Sequence, residues 1–245
     1  MSQLARPDLV RGQTTPDEGR SGPARLSAET RPIPAWTVAS AALAPALLVG
    51  GWLMAGALQP ASYSPVQQTM SDLAGQAATD PWVMTVALFG VGGCQLATGI
   101  GLTRVQMPAR LLLIAAGLST IGVAASPEPA TGATPRHLLF AVSCVVATLV
   151  WPVFAMERDP ARPLILSIYS SLLVTAVFAA LSGWLLITTQ GGGDLGLAER
   201  LTSLAQSLWP LVVVLALRQA EIRSQGLRVL GWRTRAVRVR PRRPR

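Results

Sequence analysis

Apolar residues fall along this chain in six long runs, set apart by short polar segments. The runs cover residues 35–58, 81–103, 107–125, 137–156, 163–188 and 197–217. A helix needs about 20 mostly apolar residues to cross a hydrocarbon core of about 30 Å. Unpaired backbone groups are not tolerated in lipid, so each run is expected to be α-helical. None alternates as a barrel strand would. The pattern predicts an all-α, polytopic membrane protein built as a bundle of six transmembrane helices. Pro81, Pro108 and Pro163 stand at or near first helical positions, where a missing N–H costs nothing. Trp36, Trp82, Trp151 and Trp184 fall near span ends, as an aromatic belt does. Trp52 and Trp209 lie deeper and are expected to pack between helices.

The first loop carries a weaker pattern. Ser64-Pro65 marks a helix start and Gly75 a helix end. Val66, Met70 and Leu73 share one face between them. A short helix over Pro65 to Ala74 is therefore predicted in this loop. The flanks differ from the core. Residues 1–34 are rich in Pro, Gly, Ser, Thr and Arg and read as a disordered tail. Residues 218–245 form an arginine-rich tail that begins where the 35–217 membrane domain ends.

Charge sharpens this reading. Half of the 245 residues are apolar and 13% are charged, against about 25% charged in soluble domains. A soluble globular domain is thereby excluded, and two cysteines exclude a disulfide scaffold. All 21 basic residues are arginine, a usage typical of GC-rich bacterial coding sequences. Alternate polar segments hold 19 arginines on one side and only Arg136 and Arg200 on the other. The positive-inside rule then places both termini in the cytoplasm, in a bacterial cytoplasmic membrane. The C-terminal tail is expected to meet anionic lipid, at about 1 kcal/mol per basic residue near the surface. It has no nucleic-acid recognition motif.

No Arg, Lys, Asp or Glu lies at the centre of any span, which argues against a proton relay through the membrane. Gln95 and Gln206 are the strongest polar candidates there, expected to hydrogen-bond across helices. Gly93, Ala97 and Gly101 form a small-residue ridge suited to close packing, as do Thr175, Ala179 and Gly183. Pro45, Pro152 and Pro210 interrupt spans without matching between halves. Cys94 and Cys144 read as unpaired packing residues. No metal-ligand spacing and no cofactor motif occurs.

The remaining chemistry gathers at the arginine-poor face: Ser71, Asp72, Arg136, His137, Glu199 and Arg200. In one reading Asp72 and Glu199 pair with Arg136 and Arg200 as a salt-bridged cap. In a second the arginines grip an anionic ligand or lipid headgroup. In a third His137 is a general base, Asp72 or Glu199 orients it, and Ser71 is the nucleophile. Adjacent positions on a helix point about 100° apart, so Ser71 and Asp72 are poorly placed to serve one histidine.

The string Tyr-Ser-Pro-Val-Gln-Gln-Thr-Met-Ser-Asp-Leu-Ala at 63–74 resembles the motif that follows the first span in the prokaryotic membrane family domain of unknown function 998. His137 fits that pattern, as do Gly-Leu-Ala-Glu-Arg-Leu at 196–201, Gln206 and Trp209-Pro210. The resemblance covers roughly residues 35–217. It implies six spans and no established activity. The function expected from the sequence is a non-enzymatic membrane protein whose polar cap binds a lipid headgroup or a partner protein. The alternatives are a small-molecule transporter using Gln95 and Gln206, and a membrane-embedded lipid hydrolase using His137.

Overall fold

The computed structural model describes residues 32–157 and 163–238, with side chains of the last helix described through residue 226. The expected disorder of the N-terminal tail falls on residues 1–31, outside the described residues, as do Arg158 and Arg162. The elements are α1 (Ala35–Ala57), α2 (Met70–Leu73), α3 (Trp82–Gly101), α4 (Met107–Ala124), α5 (Pro135–Phe154), a 3-10 turn (Leu164–Leu166), α6 (Ile168–Thr188) and α7 (Leu195–Arg238). All but α2 and the 3-10 turn are long and apolar enough to cross a membrane. The described chain is all-helical, a multi-pass membrane bundle.

The six spans form a closed ring. Each packs on its neighbours in sequence, and α7 returns to α1. Threonines join several of these pairs by one recurring device. Thr98, Thr120, Thr148 and Thr202 each lie within hydrogen-bond reach of the carbonyl four residues back. The hydroxyls of Thr98, Thr120 and Thr202 also reach the neighbouring helix, at Ser40, Gln95 and the Leu181 carbonyl, while Thr148 reaches past α6 to Gln206 of α7. Such bonds are worth roughly 0.6–2 kcal/mol each in a bilayer. α3 and α4 come closest where Gly92 faces Gly117: a Cβ built on Gly92 would lie 2.7 Å from the Gly117 carbonyl oxygen. The expected ridge contributes less. Gly101 abuts Thr37 and Trp36, but Gly93 and Gly183 have nothing within 4 Å of a built Cβ.

Two apolar clusters fill the ring at different heights. One lies toward the arginine-rich end and includes Leu102, Leu113, Trp151, Val213, Val214 and Leu217. Trp151 was expected in the interfacial belt. It is instead 2% exposed, and its indole N–H donates to the Ala109 carbonyl at 2.9 Å. Trp36 and Trp82 are exposed, as belt residues are. The other cluster joins Leu48, Met84, Leu88 and Val91 to Met70 and Leu73 of α2. At the arginine-rich end, Glu221 accepts from Arg104 (3.2 Å) and from the Ile33 backbone N–H (3.4 Å), while Arg218 donates to the Ile33 carbonyl (2.9 Å). α7 does not stop at 217 but continues unbroken to Arg238.

Candidate functional site

α2 is shorter than predicted. Residues 65–68 form turns, and the helix begins at Met70 because Thr69 and Asp72 make a capping box. The Thr69 side chain accepts from Asp72 N (2.8 Å), and the Asp72 carboxylate accepts from Thr69 N (2.7 Å). Asp72 is thus an exposed cap, its carboxylate taken up by the Thr69 N–H. Ser71 projects from the other side of the same turn.

His137 sits in the first turn of α5, behind the Thr134 cap and Pro135. It is 3% exposed. Its Nδ1 lies 2.8 Å from the Ser126 carbonyl oxygen, which can only accept, so Nδ1 carries a proton. Its Nε2 faces Ser71 Oγ at 3.1 Å and Glu128 Oε1 at 3.3 Å. The Ser71 hydroxyl also reaches Glu199 Oε1 at 3.3 Å, and the other Glu199 oxygen accepts the Met70 N–H. Four side chains therefore form one chain of contacts, Glu128–His137–Ser71–Glu199. Burial pushes the Glu128 carboxyl above the usual carboxylate range, with His137 opposing and Asp72 adding.

Glu128 is the member that sequence reasoning missed. A signal for it existed. Five carboxylates, Asp72, Asp80, Glu128, Asp194 and Glu199, lie at the arginine-poor end against two arginines, so charges there do not balance. The aspartates have local partners: Asp72 in its capping box, and Asp80 and Asp194 under the indole N–H groups of Trp82 and Trp184, each at 3.2 Å. The two glutamates are what remain for the site.

The expected salt-bridged cap is not what the structure builds. Among the described residues no ion pair joins Asp72 or Glu199 to Arg136 or Arg200. Arg136 is exposed. Arg200 is buried, and it holds the first loop onto α7. Its Nη1 donates to the carbonyls of Pro65 (2.6 Å), Gln68 (2.7 Å) and Gly196 (2.9 Å), and its Nη2 donates to the Tyr63 hydroxyl. Burial raises the Tyr63 phenol above its ordinary value, against the pull of Arg200. Gly196 is required here, because a Cβ on it would run into the Gln68 carbonyl.

Ser71 and Glu199 line the arginine-poor end of a cavity of about 140 Å³ inside the ring. Leu48, Leu88, Val91, Val145 and Leu185 line its walls, and Gln95, Thr120, Thr148 and Gln206 lie deeper. At 1.5 Å per residue, Gln95 is about 20 Å along α3 and Gln206 about 17 Å along α7 from the arginine-poor end. As expected, both glutamines bond across helices, to Thr120 at 2.9 Å and Thr148 at 2.7 Å. The same two pairs also line the cavity. Ser207 lines it too, 6% exposed, with a hydroxyl that has no hydrogen-bond partner. Cys94 and Cys144 are both free thiols, and Cys144 reaches the cavity wall. No group of three His, Cys, Asp or Glu among the described residues is arranged to hold a metal ion.

A closed ring of six membrane-spanning helices around a cavity with polar groups at both levels defines a polytopic helical membrane protein. The chain belongs to the family described as protein of unknown function DUF998, which matches residues 42–216. The resemblance carried by the first-loop motif is thus borne out. No curated protein matches the chain, and no solved structure does.

Proposed function

We propose that the protein is a non-catalytic binding protein of the bacterial cytoplasmic membrane. It takes a small amphiphilic molecule into the central cavity from the arginine-poor end, which faces outward while both termini are cytoplasmic. One observation carries this reading: a single cavity joins the polar groups Ser71 and Glu199 to the amide pairs at Gln95 and Gln206. Binding sites are typically apolar clefts with a few placed polar groups, and the unpartnered Ser207 hydroxyl is a group that a ligand can satisfy. The volume approaches that of a cavity of about 150 Å³ that accepts benzene. Beyond the amides lies the packed layer around Trp151, Val213 and Val214, which favours one-sided binding over transport. The arginine-rich C-terminal segment is proposed to lie against anionic lipid at the cytoplasmic surface.

Accessibility tests this reading and the orientation together. Ser203, on the cavity wall, is replaced by cysteine in a background without Cys94 and Cys144. A membrane-impermeant trimethylammonium methanethiosulfonate is then applied to intact cells. The expected result is modification from outside, blocked when Ala141→Phe fills the cavity. Modification only after the cytoplasmic face is opened, or none at all, overturns it.

A second reading rests on the 3.1 Å contact between Ser71 Oγ and His137 Nε2, the pairing used by serine hydrolases. Acyl transfer develops negative charge beside the nucleophile and needs donors aimed at it. Here Ser71 contacts the Glu199 carboxylate and His137 a second one, Glu128, while Arg200 is turned to backbone carbonyls. The expectation is that fluorophosphonate probes leave Ser71 unlabelled. Labelling that disappears in both Ser71→Ala and His137→Ala would instead favour the hydrolase.

A further inference from the structure

The charge at the arginine-poor end of the cavity points to the chemical class of the ligand. The arginine-poor end carries five carboxylates and two arginines. The aspartates have N–H partners in a cap and two indoles. Arg200 is held by three carbonyls and a phenol, and Arg136 is exposed. Glu128 and Glu199 are left together at the Ser71–His137 contact. If His137 is protonated it pairs with Glu128; if neutral, it pairs with neither. In both cases Glu199, which lines the cavity where Glu128 and His137 do not, has no ion-pair partner among the described residues. Its oxygens accept one backbone N–H and one hydroxyl, and a carboxylate has about four acceptor sites. Two sites therefore remain for a donor arriving from the cavity.

Deeper in, the environment changes. Leu48, Leu88, Val91, Val145 and Leu185 offer an apolar sleeve, and the buried Ser207 hydroxyl stands unpartnered on the same wall. A ligand that fits has one cationic N–H-bearing head and an apolar body about the size of an aromatic ring. We infer that the cavity selects small amphiphilic amines, with the ammonium group on Glu199 beside Ser71 and the apolar part toward Val91 and Val145. This inference rests on the binding reading above. It assigns the head group that reading leaves open, and it reverses the anion-gripping role expected of the arginines.

The test uses three probes of nearly one shape: 4-fluorobenzylamine, 4-fluorobenzyl alcohol and 4-fluorobenzoate. Each is titrated by fluorine NMR against the full-length protein in nanodiscs, with Ala141→Phe subtracting partition into lipid. The expected result is that the amine binds at least tenfold more tightly than the alcohol, and the benzoate weakest. Glu199→Gln, whose amide oxygen can still accept the Met70 N–H, should bring the amine to the level of the alcohol. Asp194→Asn, at the same end but outside the cavity, should leave all three affinities unchanged. Equal cavity-dependent binding of amine and alcohol, or preference for the benzoate, overturns the amine inference and leaves the binding reading standing. If no probe shows binding that Ala141→Phe removes, both fail. The comparison of probes on the unmutated protein decides the matter even if Glu199→Gln does not fold.

Discussion

Arg200 shows how one side chain organises this site. Its guanidinium reaches the carbonyls of Pro65, Gln68 and Gly196 at once, and Tyr63 as well. A planar fork can do this where an ammonium group cannot. Arg200→Lys is expected to free the 59–69 segment and lower stability by roughly 3 kcal/mol, since hydrogen bonds to a charged group are worth about 1.5–3 kcal/mol each. Thermal unfolding in detergent measures this, and an unchanged Tm would refute the strap. Glu128 makes a prediction about pH. Its carboxyl titrates higher in the folded protein, chiefly through burial, so the native state holds more protons than the unfolded chain. Its contribution to stability is complete below about pH 4 and is lost as pH rises through the folded value. Glu128→Gln removes that loss. The Tm difference, variant minus parent, should therefore grow more positive between about pH 5 and 8. A difference that shrinks over that range contradicts the assignment. At this scale the sequence is unevenly legible. His137, Ser71 and Glu199 stood out as residue types at one face, and they do meet. The salt-bridged cap did not follow, because Glu199 and Arg200 are adjacent on a helix and face different ways. Counting Asp72 and Glu199 against two arginines overlooked Asp80, Glu128 and Asp194, and so missed the surplus that marks the site.

Helices are where hydropathy was most informative. All six spans lie where the apolar runs are, since lipid leaves a long apolar segment no other backbone structure. Helix ends and faces were less legible. α2 starts at Met70, capped by Thr69, because the capping box outweighs the Ser-Pro signal at 64–65. The close approach of α3 and α4 uses Gly92 and Gly117, while Gly93, one residue along, is exposed. Spacing alone cannot separate neighbouring small residues, because only the partner helix decides which of them is buried. The two positions give a paired prediction. Gly92→Ala should cost about 1–3 kcal/mol by overpacking, because the new methyl would meet the Gly117 carbonyl and Ile121. Gly93→Ala should be neutral or stabilising by up to about 1 kcal/mol, from helix propensity. Denaturation of both variants under one condition reads the contrast, and equal effects would contradict the described face of α3.

For the whole molecule, the ring closes through α7 on α1 and encloses a cavity that runs from Ser71 and Glu199 to Gln95 and Gln206. The packed layer around Trp151 seals the other end. In the proposed function, this arrangement is what would hold a small molecule within the membrane with its polar head toward the arginine-poor end. The path from Ser71 and Glu199 to the amides was not legible in the sequence. Gln95 and Gln206 lie more than a hundred residues apart and look like ordinary cross-helix pairs, which they also are. Only the ring places both on one cavity. The most direct measurement is an experimental density map of the protein purified from its own membrane into nanodiscs, with a bound antibody fragment as a fiducial. The account predicts non-protein density between Glu199 and the Gln95–Gln206 level, in contact with Ser207. Side chains closing that space, with Ser71 and Glu199 cut off from the glutamines, would contradict it.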